Sequence, residues 1–60
     1  MTFIINSTVA DGQTVKANVT YTLDNGYTET VDVPCFQPSD MAYIINCVHS
    51  RGLTIQSQHG

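Results

Sequence analysis

Two short turn signals, Ala10-Asp11-Gly12 and Asp24-Asn25-Gly26, interrupt runs rich in β-branched and aromatic residues, and each places Asp or Asn directly before a glycine. Such a pair between alternating runs is a strong hairpin signal, because glycine supplies the positive φ of a tight reversal at no steric cost. Both signals suit a three-residue loop, a type I turn closed by glycine as a G1 bulge. Register tests the second one. With Asp24 to Gly26 as the loop, Leu23 faces Tyr27, Tyr21 faces Glu29, Val19 faces Val31 and Ala17 faces Val33, which aligns apolar with apolar. A loop of Asn25-Gly26 alone sets Leu23 against Thr28 and mixes the faces, and period-2 burial excludes that. The same rule at Gly12 pairs Val9 with Gln13, Ser7 with Val15, Ile5 with Ala17 and Phe3 with Val19.

A three-strand meander over residues 2–9, 13–23 and 27–33 follows from these pairings. One face carries Phe3, Ile5, Ala17, Val19, Tyr21, Leu23, Tyr27, Val31 and Val33. The other carries Thr2, Ile4, Asn6, Lys16, Asn18, Thr20, Thr22, Thr28, Thr30 and Asp32, polar but almost uncharged. Pro34 and Pro38 bracket a connector, since proline cannot donate to a strand ladder, and the third strand is expected to end at Val33 or Pro34. Ser39 or Asp40 can cap a helix, after which Met41, Ile44, Ile45 and Val48 repeat at helical spacing as one buried stripe. Arg51 suits the last turn and Gly52 the C′ position, which predicts a helix over 40–51. Leu53-Thr54-Ile55-Gln56 alternates and reads as a short fourth strand. The expected architecture is α+β: an antiparallel β-β-β-α-β sheet with one helix packed on one face, in a single small domain over 1–60. The first strand, or the Leu53 to Ile55 strand, is expected at an unprotected sheet edge.

Chemistry is sparse. Cys35, Cys47, His49 and His59 are the only metal-like set, and their spacing matches no structural zinc pattern, in which two to five residues separate the members of a pair. Both cysteines read as small hydrophobes with free thiols, and His59 as a frayed terminal residue. A Cys-His nucleophile is not expected, because Cys35 precedes the helix and His49 sits near its far end. Asp24, Glu29 and Asp32 fall on different faces or in a loop, and no glycine-rich phosphate loop is present. The reading is therefore of a chain that is not an enzyme and takes no cofactor, metal or small-molecule substrate. Net charge is −3 with only two Lys and Arg residues, too few to neutralise a row of phosphates, so direct nucleic-acid binding is not expected. No charged n-region with an apolar h-region opens the sequence and no membrane span is expected.

What has shape is the threonine face. Thr20 is expected opposite Thr30 and Thr22 opposite Thr28, with Thr2 beside Thr20. Threonine is the polar residue with the best strand propensity, which by itself accounts for such a ladder on solvated sheet. Only 12% of residues are charged, and Thr, Ser, Asn and Gln supply 20 of the 60. A flat, uncharged, half-apolar surface loses little on desolvation, so Thr2, Ile4, Asn18, Thr20, Thr22, Thr28 and Thr30 are the candidate partner-binding residues.

The runs Ala17-Asn18-Val19-Thr20-Tyr21-Thr22 and Val31-Asp32-Val33-Pro34-Cys35-Phe36-Gln37-Pro38, then a short helix and Arg51-Gly52-Leu53, resemble the small proteins of tailed bacteriophages over about two-thirds of the chain. In the order of elements alone, the chain is also similar to the short podophage inhibitors of host RNA polymerase. The resemblance implies no residue-level role. With the charge-poor surface, small size and spare sheet face, the expected function is that of a non-enzymatic phage protein acting through protein-protein contacts in the host cytoplasm, assembled into the virion as a capsid- or tail-associated subunit or self-associating. The alternative is a small inhibitor of a host enzyme such as RNA polymerase or a defence nuclease, which the acidic balance suits.

Overall fold

The computed structural model describes residues 1–36 and 40–60. Three strands, β1 (Thr2–Asp11), β2 (Thr14–Thr22) and β3 (Thr28–Cys35), form one antiparallel sheet in the order β1-β2-β3, and a single helix, α1 (Met41–His59), follows. The class is α+β. Gln37, Pro38 and Ser39, part of the expected connector, lie outside the described residues.

The β2–β3 hairpin has the expected register. Tyr21 pairs with Glu29, Val19 with Val31 and Ala17 with Val33. The loop closes through Leu23 N–H to Tyr27 O at 2.8 Å and Gly26 N–H to Leu23 O at 3.0 Å, with Gly26 at φ 92°. β3 does not stop at Pro34 but runs on to Cys35, opposite Val15. Proline is tolerated there because β3 is an edge strand, on which a missing N–H can face outward without breaking a ladder bond.

The first hairpin differs from expectation. Its loop is two residues, Gly12-Gln13, with Asp11 paired to Thr14, Ala10 to Val15 and Thr8 to Ala17. Gly12 has φ 65° and Gln13 is not at positive φ, the assignment a type II′ turn makes. Pairing then shifts at Asn6: beyond it Ile5 faces Val19, Phe3 faces Tyr21 and Thr2 faces Thr22. The extra residue of this β-bulge restores the parity that the shorter loop removes, so Phe3 and Ile5 still point to the core. The predicted Phe3–Val19 and Ile5–Ala17 pairs are thereby displaced by two residues.

The helix begins where Asp40 Oδ1 accepts N–H bonds from Ala42 at 3.0 Å and Tyr43 at 3.3 Å. It does not end at Arg51. Gly52 is an interior helical residue, and Leu53 to Gln56 continue the helix instead of forming a fourth strand. The sheet edges are consequently β1 and β3. The buried stripe is Ile44, Val48, Gly52 and Ile55, whereas Met41 is 57% and Ile45 45% exposed, so two of the four expected stripe residues face outward. The stripe rotated because 3.6-residue periodicity over nineteen residues fits 44, 48, 52 and 55, a set with a glycine at its centre.

That glycine explains the contact between the layers. A Cβ at Gly52 would lie 2.9 Å from Tyr21 Cε1 and 2.6 Å from Met1 Sδ. The missing side chain makes a notch into which the fully buried Tyr21 fits, and its hydroxyl donates to Val48 O at 2.6 Å. Tyr21 thus joins with Val19, Val48 and Cys35 as the largest fully buried side chains of the core. Burial is the leading cause that pushes its phenol up to about 12.

Candidate functional site: the open sheet face

On the side of the sheet away from the core, register sets the residues in four cross-strand rows. These are Thr2–Thr22–Thr28, Ile4–Thr20–Thr30, Ser7–Asn18–Asp32 and Val9–Lys16–Pro34. Thr2 stands beside Thr22, not Thr20 as expected. All seven candidate partner-binding residues lie on this face, Asn18 and Thr20 half-buried on the central strand and the other five exposed.

The polar groups of the middle rows are bonded to one another. Asn6, the unpaired residue of the bulge, donates through Nδ2 to Asn18 Oδ1 at 3.0 Å and to Thr20 Oγ1 at 2.9 Å. Thr20 and Thr30 share a hydroxyl bond of 2.9 Å, and Asn18 Nδ2 donates to Asp32 Oδ1 at 3.0 Å. The network spans all three strands. Its anchor is the bulge, which turns the amide of Asn6 toward two rows at once.

Two exposed aliphatic side chains border it, Ile4 at 67% and Val9 at 61%. Val9 is an addition to the expected face. A constant register from Gly12 put it on the core side with Ser7, and the bulge moved both to the open side. No sequence signal marks the bulge, because its stabilising contacts are made by residues twelve and fourteen positions away.

The thiols and the histidines lie elsewhere. Cys35 is fully buried at the end of β3 and Cys47 half-buried on α1, packed against the core. Burial, then the neighbouring Cys47, pushes the Cys35 thiol up to about 11. His49 is exposed and His59 is at the far end of the helix, so the structure does not gather the four residues, and among the described residues no group of three His, Cys, Asp or Glu could hold a metal.

His59 is not frayed. Its ring stacks on Tyr27 with centroids 4.2 Å apart, its Nε2 is 3.9 Å from Glu29 Oε1, and its carbonyl accepts from Asn25 Nδ2 at 2.8 Å. Tyr27 donates its hydroxyl to the same Glu29 oxygen at 2.5 Å, and that bond is the first cause raising the Tyr27 phenol. A helix of nineteen residues is about 28 Å long and reaches the β2–β3 turn, which a helix ending at Arg51 does not. This cluster fastens the end of α1 to the hairpin. Beside it an open cleft of about 590 Å³ is lined by Leu23, Asp24, Asn25, Leu53, Gln56, Ser57 and Gly60. Its one ionisable side chain, Asp24, is taken up by the Met1 nitrogen at 2.9 Å.

Among the described residues, no helix is long and apolar enough to cross a membrane. The chain matches no family model, and no curated protein or solved structure matches it.

Proposed function

We propose that this chain is a non-enzymatic bacteriophage protein that works by protein-protein contact, seating its open sheet face on a capsid or tail subunit. One observation carries the reading: the hydroxyls and amides of Asn6, Asn18, Thr20 and Thr30 are already bonded to each other, and the aliphatic side chains of Ile4 and Val9 stand exposed beside them. Covering such a surface leaves few polar groups stranded, whereas burying unpaired amides and hydroxyls costs about 1–3 kcal/mol each. The charged residues of the face are Lys16, Asp32 and, at its hairpin end, Asp11, so no cationic field selects a nucleic acid. The phage context rests on the resemblance carried by Ala17 to Thr22 and Val31 to Pro38.

Mass spectrometry of purified particles of the encoding phage tests this directly. The chain is expected in them at a fixed ratio to the major capsid or tail protein. Its absence from particles, with a host enzyme retained stoichiometrically on the isolated chain, rejects the virion role in favour of a host-directed inhibitor.

A further inference from the structure

Of the four asparagines, Asn25 alone precedes a glycine, and Gly26 carries no side chain to hinder attack from its nitrogen. An asparagine so placed is the one most prone to lose its amide to water. Here the polar atoms of the pair are tied. Asn25 Oδ1 accepts from Tyr27 N–H at 3.0 Å, its Nδ2 donates to His59 O at 2.8 Å, and Gly26 N–H donates to Leu23 O at 3.0 Å. Two of these bonds lie within the hairpin. The third reaches the last turn of α1, where the His59 ring is stacked on Tyr27 with centroids 4.2 Å apart.

We propose that Asn25-Gly26 is a deamidation site gated by the docked end of α1, and that its conversion releases that end. Both residues are exposed, so water reaches them in the folded chain. Once the helix end lifts, Asn25 Nδ2 loses its hold on His59 O and the side chain can bring its Cγ onto the Gly26 nitrogen. That nitrogen gives its proton to solvent and bonds to Cγ, the Cγ–Nδ2 bond breaks, and the amide nitrogen leaves as ammonia with a proton from solvent. Water then adds to either carbonyl of the cyclic succinimide and opens it to aspartate or isoaspartate. The sum is amide plus water to carboxylate plus ammonium, with no change of oxidation state. The aspartate product keeps an acceptor for Tyr27 N–H but has no donor for His59 O, because an ionised carboxylate only accepts. Oxygen then faces oxygen where the 2.8 Å bond stood. The isoaspartyl product also adds a methylene to the main chain of the loop that Leu23 N–H closes on Tyr27 O.

The full chain held at neutral pH, folded and in guanidinium chloride, and followed by intact mass and peptide mapping, tests the assignment. The expected change is the mass gain of NH2 replaced by OH, at Asn25 before Asn6, Asn18 or Asn46, and at least about tenfold slower folded than unfolded because it waits for local opening. Folded Tyr27→Ala, which removes the ring stacked on His59, is expected to react faster than wild type; if it does not fold, His59→Ala removes the same stack from the helix side. Asn25→Asp, one product made directly, is expected to keep the far-ultraviolet dichroism of wild type and to weaken the mutual ring-current shifts of Tyr27 and His59. Equal wild-type rates folded and unfolded, first reaction at another asparagine, a folded stack variant that reacts at the wild-type rate, or wild-type ring shifts in Asn25→Asp overturns the proposal.

Discussion

Replacing Gly52 by Ala separates two opposed effects whose sizes are known. Glycine inside a helix is about 0.8–1.0 kcal/mol less favourable than Ala, so on an open helix surface the substitution stabilises by that amount. Here the added Cβ would sit 2.6 Å from Met1 Sδ, 2.9 Å from Met1 Cε and 2.9 Å from Tyr21 Cε1. The Met1 side chain is flexible and can swing aside. The Tyr21 ring cannot yield so easily, because it is fully buried and its hydroxyl is held on Val48 O at 2.6 Å. Overpacking of that kind costs about 1–3 kcal/mol, which exceeds the propensity gain and leaves a net loss of about 1 kcal/mol. Against a total of roughly 3–5 kcal/mol for a core of this size, the loss is readily measured as a lower urea midpoint. In a Tyr21→Leu background, where the ring is gone, Gly52→Ala is expected to become neutral or stabilising. If Gly52→Ala raises the midpoint of the otherwise wild-type chain by the full helix-propensity increment, the notch is not a packed contact and the account of the sheet-helix interface is wrong.

Other expectations rest on the same core. Val48→Ala removes two methylenes' worth of fully buried surface and should cost about 2 kcal/mol, whereas Ile45→Ala, on a residue 45% exposed, should cost less than about 1 kcal/mol; thermal melts of the pair decide between the observed stripe and the one expected from spacing. Alkali should unfold the chain. Tyr21 is pushed up to about 12 and Cys35 to about 11, so both hold their protons in the folded state while the unfolded chain loses them near their ordinary values of 10.0 and 9.0. What these two groups contribute is therefore fully present below about pH 9 and is lost between about pH 9 and 12, and tyrosinate absorbance should show one tyrosine ionising only as the far-ultraviolet dichroism is lost. Asn6→Ala should loosen the bulge and the side-chain network together, read as faster amide exchange at Ser7 and Asn18 with little change at Val33.

The sequence carried the second hairpin almost completely, because Asp24-Asn25-Gly26 and the alternation on either side agree on one register. Parity from that hairpin also assigns Asn18, Thr20, Thr22, Thr28 and Thr30 to the open face, whereas Thr2 and Ile4 reach it because the bulge offsets the shorter first loop. The first hairpin was legible only in part. Its pairing depends on a bulge whose stabilising bonds, from Asn6 to Asn18 and Thr20, join strands that must already be aligned, and local pattern does not contain that information. The helix failed at Gly52 for a related reason. Glycine after Arg51 satisfies every local rule for a helix end, and only the ring of Tyr21, thirty-one residues away in sequence, explains why it sits in the middle. Leu53 and Ile55 alternate like a strand but are the exposed and buried positions of a continuing helix. With the helix read too short, His59 could not be brought to Tyr27 and Glu29.

The most direct measure of the open face as a contact surface is incorporation of a Thr20→Lys, Thr30→Lys variant into purified particles, beside wild type and after its fold is confirmed by matching dichroism and melting. The two threonines are 2.9 Å apart at their hydroxyls and directly opposite in register, so the variant sets like charges together in the centre of the face and leaves the core side untouched. The account predicts that the folded variant is depleted at least about tenfold from particles, the change that roughly 1.4 kcal/mol of lost contact energy produces. Incorporation of the variant at the wild-type ratio would contradict it and leave the threonine face as ordinary solvated sheet.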